Sequence, residues 1–179
     1  MAQTFSRRKF LAAAAMASPM LANPLASIAA PHHVRELGFF HAHTSEKLTL
    51  VYWENGEYLA DALSEINQLM RDFRTGDVHP IDPGVLDMLS SIRLGLDSRA
   101  QFEIISGYRS PATNSMLAAK STGVSTRSLH MQGRALDIRL SGVATSELRD
   151  AATALRAGGV GYYPDSHYVH VDTGRFRTW

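Results

Sequence analysis

Two short stretches constrain this chain most: Ala135-Leu136-Asp137-Ile138-Arg139-Leu140 and Tyr168-Val169-His170-Val171-Asp172. In each, aliphatic residues fall at every second position, the period of a strand with one face in a core. Leu136, Ile138 and Leu140 share one face, so Asp137 occupies the other. Val169 and Val171 share one face, so His170 points away from it. If the two strands are neighbours, an aspartate and a histidine converge on the side away from the core. A third candidate, His130, stands in the loop before the first strand, with Gly133 letting the chain turn back.

Two imidazoles and one carboxylate form a three-ligand zinc set that leaves a fourth position for water. Such a site makes water nucleophilic near neutral pH. A plainer reading fits the same residues: His130 caps a loop, Asp137 pairs with Arg134 or Arg139, and His170 is a half-buried strand histidine. Spacing alone does not separate the two. Asp172 shares the His170 face and suits either support of a ligand imidazole or capping of the Thr173-Gly174 turn.

The 179 residues include no cysteine, which excludes disulfides and thiolate metal sites. The chain starts with a basic head, Ser6-Arg7-Arg8-Lys9-Phe10-Leu11, then an alanine-rich apolar run broken by Pro19 and Pro24. This is the pattern of an export signal rather than a membrane anchor, and the paired arginines resemble the twin-arginine address. Cleavage is expected near Ser27-Ile28-Ala29. Removing residues 1–29 leaves 150 residues, enough for one domain with a sizeable core. It also removes three cations, so the formal charge falls from +1 to −2 and no electrostatic case remains for nucleic acid. Residues 30–36 read as a tether and 37–179 as the domain.

Within that domain, 37–44 and 47–54 read as strands, with a turn at Ser45-Glu46 and a hairpin turn at Asn55-Gly56. A helix follows, with Asp61 as its expected cap. A second spans about Pro83 to Leu96, with proline in its first turn. Phe102–Ile105 is a short strand and Thr113–Lys120 a short helix. Thr145–Ala157 is a helix expected to end at Gly158-Gly159, and strands at 160–163 and 168–172 close the chain. This order gives an α+β fold, a small mostly antiparallel sheet with helices packed on it. His41 and His43 read as a solvent-facing pair.

The segments "SGYRSPATN", "SLHMQGRALDIRL" and "HYVHVDTG" carry a family resemblance. They resemble the D-Ala-D-Ala peptidase group of zinc enzymes, which includes VanX, VanY and the L-alanyl-D-glutamate endopeptidases. Its pattern Ser-x-His-x-x-Gly-x-Ala-x-Asp is matched by Ser128, His130, Gly133, Ala135 and Asp137, and its later histidine by His170. From about Leu37 onward the chain is similar to an exported subfamily tied to cleavage of murein cross-links. The resemblance implies a hedgehog/D-Ala-D-Ala peptidase-like fold and one zinc ion per chain on His130, Asp137 and His170. It also implies substrate roles for Arg109, expected at a rim where its guanidinium forks a carboxylate, and for Ser128.

One position departs from the family. An acidic general base is expected three residues before the last histidine, and here that residue is His167, with Asp165 two residues earlier. His167 reaches the site only if its strand starts at Tyr168 and the loop turns it inward. Three readings stay open: His167 is the base or a transition-state donor, Asp165 reaches the water, or neither does. In a fourth, His167 fills the open metal position. The expectation is a monomeric periplasmic zinc peptidase, delivered by the twin-arginine machinery, free of any membrane span once processed and acting on peptidoglycan peptides. The rival is a non-catalytic murein- or metal-binding domain on the same scaffold.

Overall fold

The computed structural model describes residues 34–121 and 123–179. The export signal read in residues 1–29, and residues 30–33 of the tether, lie outside the described residues. The elements in chain order are β1 (Val34–His41), β2 (Lys47–Glu54), β3 (Glu57–Tyr58), α1 (Ala60–Leu69), α2 (Pro83–Gly95), β4 (Phe102–Ser106), α3 (Pro111–Lys120), β5 (Ala135–Leu140), α4 (Thr145–Leu155), β6 (Gly159–Tyr163), β7 (Tyr168–Asp172) and β8 (Arg177–Thr178). The α+β reading holds, but the sheet is not small. It has eight strands, ordered β3-β2-β1-β4-β5-β7-β6-β8. Five pairings are antiparallel, while β1 with β4 and β6 with β8 run parallel.

One face of the sheet is apolar from β2 to β6, and cross-strand partners show why. Phe39 lies opposite Leu48 on one side and Phe102 on the other. Ile138 lies opposite Ile104 and Val169, and Val171 opposite Leu136 and Val160. Directly opposed side chains share a face, so the alternation within each strand is summed into one surface. Helices α1, α2 and α4 cover it with Ile66, Val85, Leu89, Ile92 and Leu148, all fully buried. Truncating one such residue, for example Ile138→Ala, costs about 2–5 kcal/mol. Residues of the other parity face away from the core, and that is where the candidate site stands.

Several boundaries differ from the sequence reading for local reasons. β1 begins at Val34, inside the stretch read as tether, and Arg35 there pairs with Asp87 of α2 at 2.6 Å. Asp61 lies in the first turn of α1, whose cap position is Leu59; its charge still suits the positive end of the helix. α4 ends on Arg156 in the left-handed region (φ 51°) and not on the following glycines. At Asn55-Gly56 both residues have positive φ, as the expected two-residue hairpin requires. β8 has only two residues, too few for any periodic signal.

Candidate metal centre

β5 and β7 are neighbours, and their register sets Asp137 directly opposite His170. His130 arrives from a 3-10 turn, Leu129–Gln132, and not from an irregular loop. Gly133 closes that turn at φ 64°, where a Cβ would also meet the Pro80 carbonyl oxygen at 2.0 Å. Only glycine fits both demands, which gives the motif glycine a physical reason. His130 Nε2 then lies 3.2 Å from His170 Nδ1 and 3.3 Å from Asp137 Oδ1, and the last two are 2.8 Å apart. A tetrahedral ion with bonds of about 2.0–2.1 Å needs ligand atoms about 3.3 Å apart. The donor set therefore fits such an ion in both chemistry and spacing.

Each imidazole is aimed by the bond on its other nitrogen. His130 Nδ1 donates to the Gly107 carbonyl at 2.8 Å, leaving the Nε2 lone pair inward. His170 Nε2 donates to Asp172 Oδ2 at 3.0 Å, leaving Nδ1 inward. Asp172 is fully buried and densely held. Its Oδ1 accepts from Gly159 N, Gly174 N and Arg177 NH1, and its Oδ2 from Arg177 NH2 at 2.7 Å. A Cβ on Gly159 would lie 2.3 Å from Arg177 NH1 and 2.5 Å from Asp172 Oδ2. The glycines after α4 thus make room for this carboxylate and its arginine. Sequence reasoning missed Arg177; the buried Asp172 two residues after a ligand was its available signal.

Electrostatics agree with a site built for a cation. Burial lowers His130 and keeps it neutral against the pull of Asp137. Burial would raise Asp137, but His130 and His170 hold it far below the usual carboxylate range. Burial opposes charge on His170 too, yet its bonds to Asp137 and Asp172 raise it to about 9. These shifts together favour positive charge at the point that His130, Asp137 and His170 face.

The three candidate ligands form part of the lining of an open pocket of about 440 Å³. Ser128 lines it, 9% exposed, with no side-chain capping bond to its helical turn. Arg109 also lines it, in the loop after β4 as expected, but it does not stand at a rim. It is 9% exposed, and its guanidinium donates to Ser106 Oγ, Asn114 Oδ1 and Asp137 Oδ2. Its charged partner is Asp137, one of the three candidate metal ligands. Tyr168, Tyr163 and Trp179 form the opposite wall. The two tyrosine rings stack 4.6 Å apart, and the indole donates to the Tyr163 hydroxyl at 2.9 Å and tilts over His170 at 5.3 Å.

The structure does not bring His167 or Asp165 to this pocket. β7 does start at Tyr168, but His167 lines a separate concavity with Glu103, Arg139 and the start of α4. Three residues of extended chain put it opposite His170, and its own positive φ of 54° does not reverse that. Arg139 holds the turn there by the Ser166 and His167 carbonyls. Asp165 is exposed on the same turn. Among the described residues, the other acid in the pocket besides the ligand Asp137 is Asp172, already saturated by donors. The solvent-facing reading of His41 and His43 also needs correction: His41 is fully buried, while His43 is exposed and stacks on Phe73 at 4.2 Å.

Comparison with known proteins points the same way. Residues 29–179 match the family model described as "Peptidoglycan L,D-endopeptidase MepK". The "Peptidoglycan L,D-endopeptidase MepK" of Escherichia coli (strain K12) is 39% identical over 176 residues, covering 97% of each chain. A "Probable peptidoglycan L,D-endopeptidase MepK" of Haemophilus influenzae is 37% identical over 177 residues, covering 97% of this chain and 95% of the relative. No solved structure matches significantly.

Proposed function

The chain belongs to the peptidoglycan L,D-endopeptidase MepK family of the D-Ala-D-Ala peptidase group, and from that premise we propose a zinc-dependent endopeptidase that cuts L,D peptide bonds in murein outside the cytoplasm. The observation that carries the zinc assignment is the triangle of His130 Nε2, Asp137 Oδ1 and His170 Nδ1, whose inward lone pairs are each fixed from behind. One zinc ion per chain suits two imidazoles and a carboxylate. A divalent ion held there supplies Lewis acidity, polarising a peptide carbonyl and making water nucleophilic near neutral pH.

The chain's own groups do the rest. The pocket between residues 123–129 and the Tyr168–Trp179 wall receives an extended peptide across the ligand face. Ser128 offers a hydroxyl to a substrate amide or carboxylate, and Arg109 donates to Asp137 Oδ2 and orients that carboxylate. Burial and the nearby Asp137 raise the Tyr168 hydroxyl, so it stays protonated and serves as a hydrogen-bond donor to charge developing on the carbonyl oxygen. It cannot act as a base near neutrality. The proposed export route is the twin-arginine system, read from Arg7 and Arg8, and the working compartment is the periplasm, with the processed protein a monomer.

The test is release of peptide products from purified murein by the processed protein, with and without chelator, alongside zinc content. Chelator-sensitive release that returns with zinc supports the reading. Zinc bound without any release would instead support the non-catalytic binding domain.

A further inference from the structure

The pocket is lined by three arginines, and the two aspartates in its lining match two of them. Arg177 grips Asp172 with both terminal nitrogens, at 3.0 and 2.7 Å. Arg109 lies 3.4 Å from Asp137 and is nearly inaccessible. Arg127 is exposed, and among the described residues its guanidinium has neither an ion-pair nor a hydrogen-bond partner. With a divalent cation on the ligands, the pocket carries net positive charge, and its free cationic fork is Arg127.

Its backbone is well anchored. Arg127 N donates to Ser125 Oγ at 3.1 Å, and the Ser125 carbonyl accepts from the buried Asn114 at 3.0 Å. The next residue, Ser128, is buried and starts the turn that carries the ligand His130. The fork is therefore tethered three residues from a ligand. A carboxylate reaching for Arg109 would instead compete with Asp137 for a guanidinium and add a second anion beside it, which is unfavourable in a buried site.

We propose that Arg127 is the specificity residue that captures a free carboxylate of the peptide substrate, so that the enzyme selects acidic stem peptides over amidated ones. The proposal rests on the reading of this pocket as the murein-peptide site. Guanidinium and carboxylate pair through two parallel hydrogen bonds, a geometry that a carboxamide cannot reproduce with equal charge. The aromatic wall of Tyr168 and Trp179, the latter 49% exposed, faces the same space and takes the apolar part of the chain.

The experiment uses a synthetic stem peptide containing one L,D bond, as the free acid and with each carboxylate converted in turn to a carboxamide. Wild type, Arg127→Gln and Arg127→Lys are compared for kcat, KM and zinc content. Arg127→Gln is expected to raise KM for the acid about 10–100-fold. Its kcat and zinc content should hold, and it should equal wild type on one of the amides. Arg127→Lys should fall between. Equal losses on acid and amides, or no change on the acid, overturn the proposal. If wild type cleaves none of the peptides, the murein reading is in trouble, and calorimetric binding of the same peptides decides about Arg127. A wild-type preference for acid over amide that Arg127→Gln abolishes supports it, and no preference sinks it.

Discussion

Among the described residues two histidines are buried, near the ends of core-lining strands and turns, and they have different fates. His41 and His130 are both almost fully sealed from solvent. His41 continues the alternation of Leu37 and Phe39 and so faces the core, where its Nδ1 accepts from the backbone N–H of His43 and Thr44 at 3.2 and 3.3 Å. Its neighbour His43 turns outward and stacks on Phe73. His130 is fixed by donating to a carbonyl, which leaves its other nitrogen facing Asp137 and His170. A buried histidine whose free lone pair is consumed by backbone donors is structural. One whose lone pair faces two further acceptors is placed to be a metal ligand.

The largest effect in this comparison comes from the ligands. His130→Ala, Asp137→Ala and His170→Ala should each lose most of the bound zinc and with it the peptidase activity, measured by metal analysis of the refolded protein. His41→Leu should keep its zinc. Unchanged metal in all three ligand variants would dissolve the distinction.

The next effect probes what aims the ligand. Arg177→Gln removes the fork on Asp172 without touching His170, and support of this kind is typically worth about 10–100-fold in metal affinity. Competition with a chelator measures it, and Arg177→Lys should recover part of the loss. An affinity equal to wild type would make Arg177 a mere counter-charge for a buried aspartate.

A smaller effect is expected at His167. Removing a general base costs ~10²–10⁴-fold in rate, but His167 lines a different concavity. His167→Ala should therefore keep both zinc and turnover. A rate loss in the range of a lost base, with zinc intact, would mean that the 164–167 turn swings into the pocket during catalysis.

The smallest effect is a pH slope at the other histidine. Burial, with help from His43, lowers His41 from its ordinary 6.5. The unfolded chain takes up a proton below 6.5 and the folded chain resists it. The contribution of His41 is thus intact above 6.5 and lost as pH falls below it. Denaturant unfolding of wild type and His41→Leu between pH 8 and about pH 5 should show the wild type losing more stability on acidification. Parallel curves would show that His41 does not titrate in this range. Asp72 works in the same direction lower down. Burial opposes its charge, but bonds from Thr113, Ser110 and the Arg74 backbone hold it at about 2. It braces the loop that bears Arg109 by accepting from Ser110 N, and that brace weakens only as pH falls below the ordinary carboxylate range.

Much of this was legible in the residues themselves. The bounds of β5 and β7, the outward parity of Asp137 and His170, the turn at Asn55-Gly56 and the proline at the start of α2 all follow from local sterics and a period of two. These are properties of a few consecutive residues, and the chain carries them wherever it folds. Which strand lies beside which is not such a property. The register that sets Asp137 opposite His170, the burial of Arg109 against Asp137, the inward parity of His41 and the grip of Arg177 on Asp172 join residues 5 to 33 positions apart or depend on which face becomes the core. Alternation assigns a residue to one of two faces, and only the packed sheet decides which face is buried and what stands across from it.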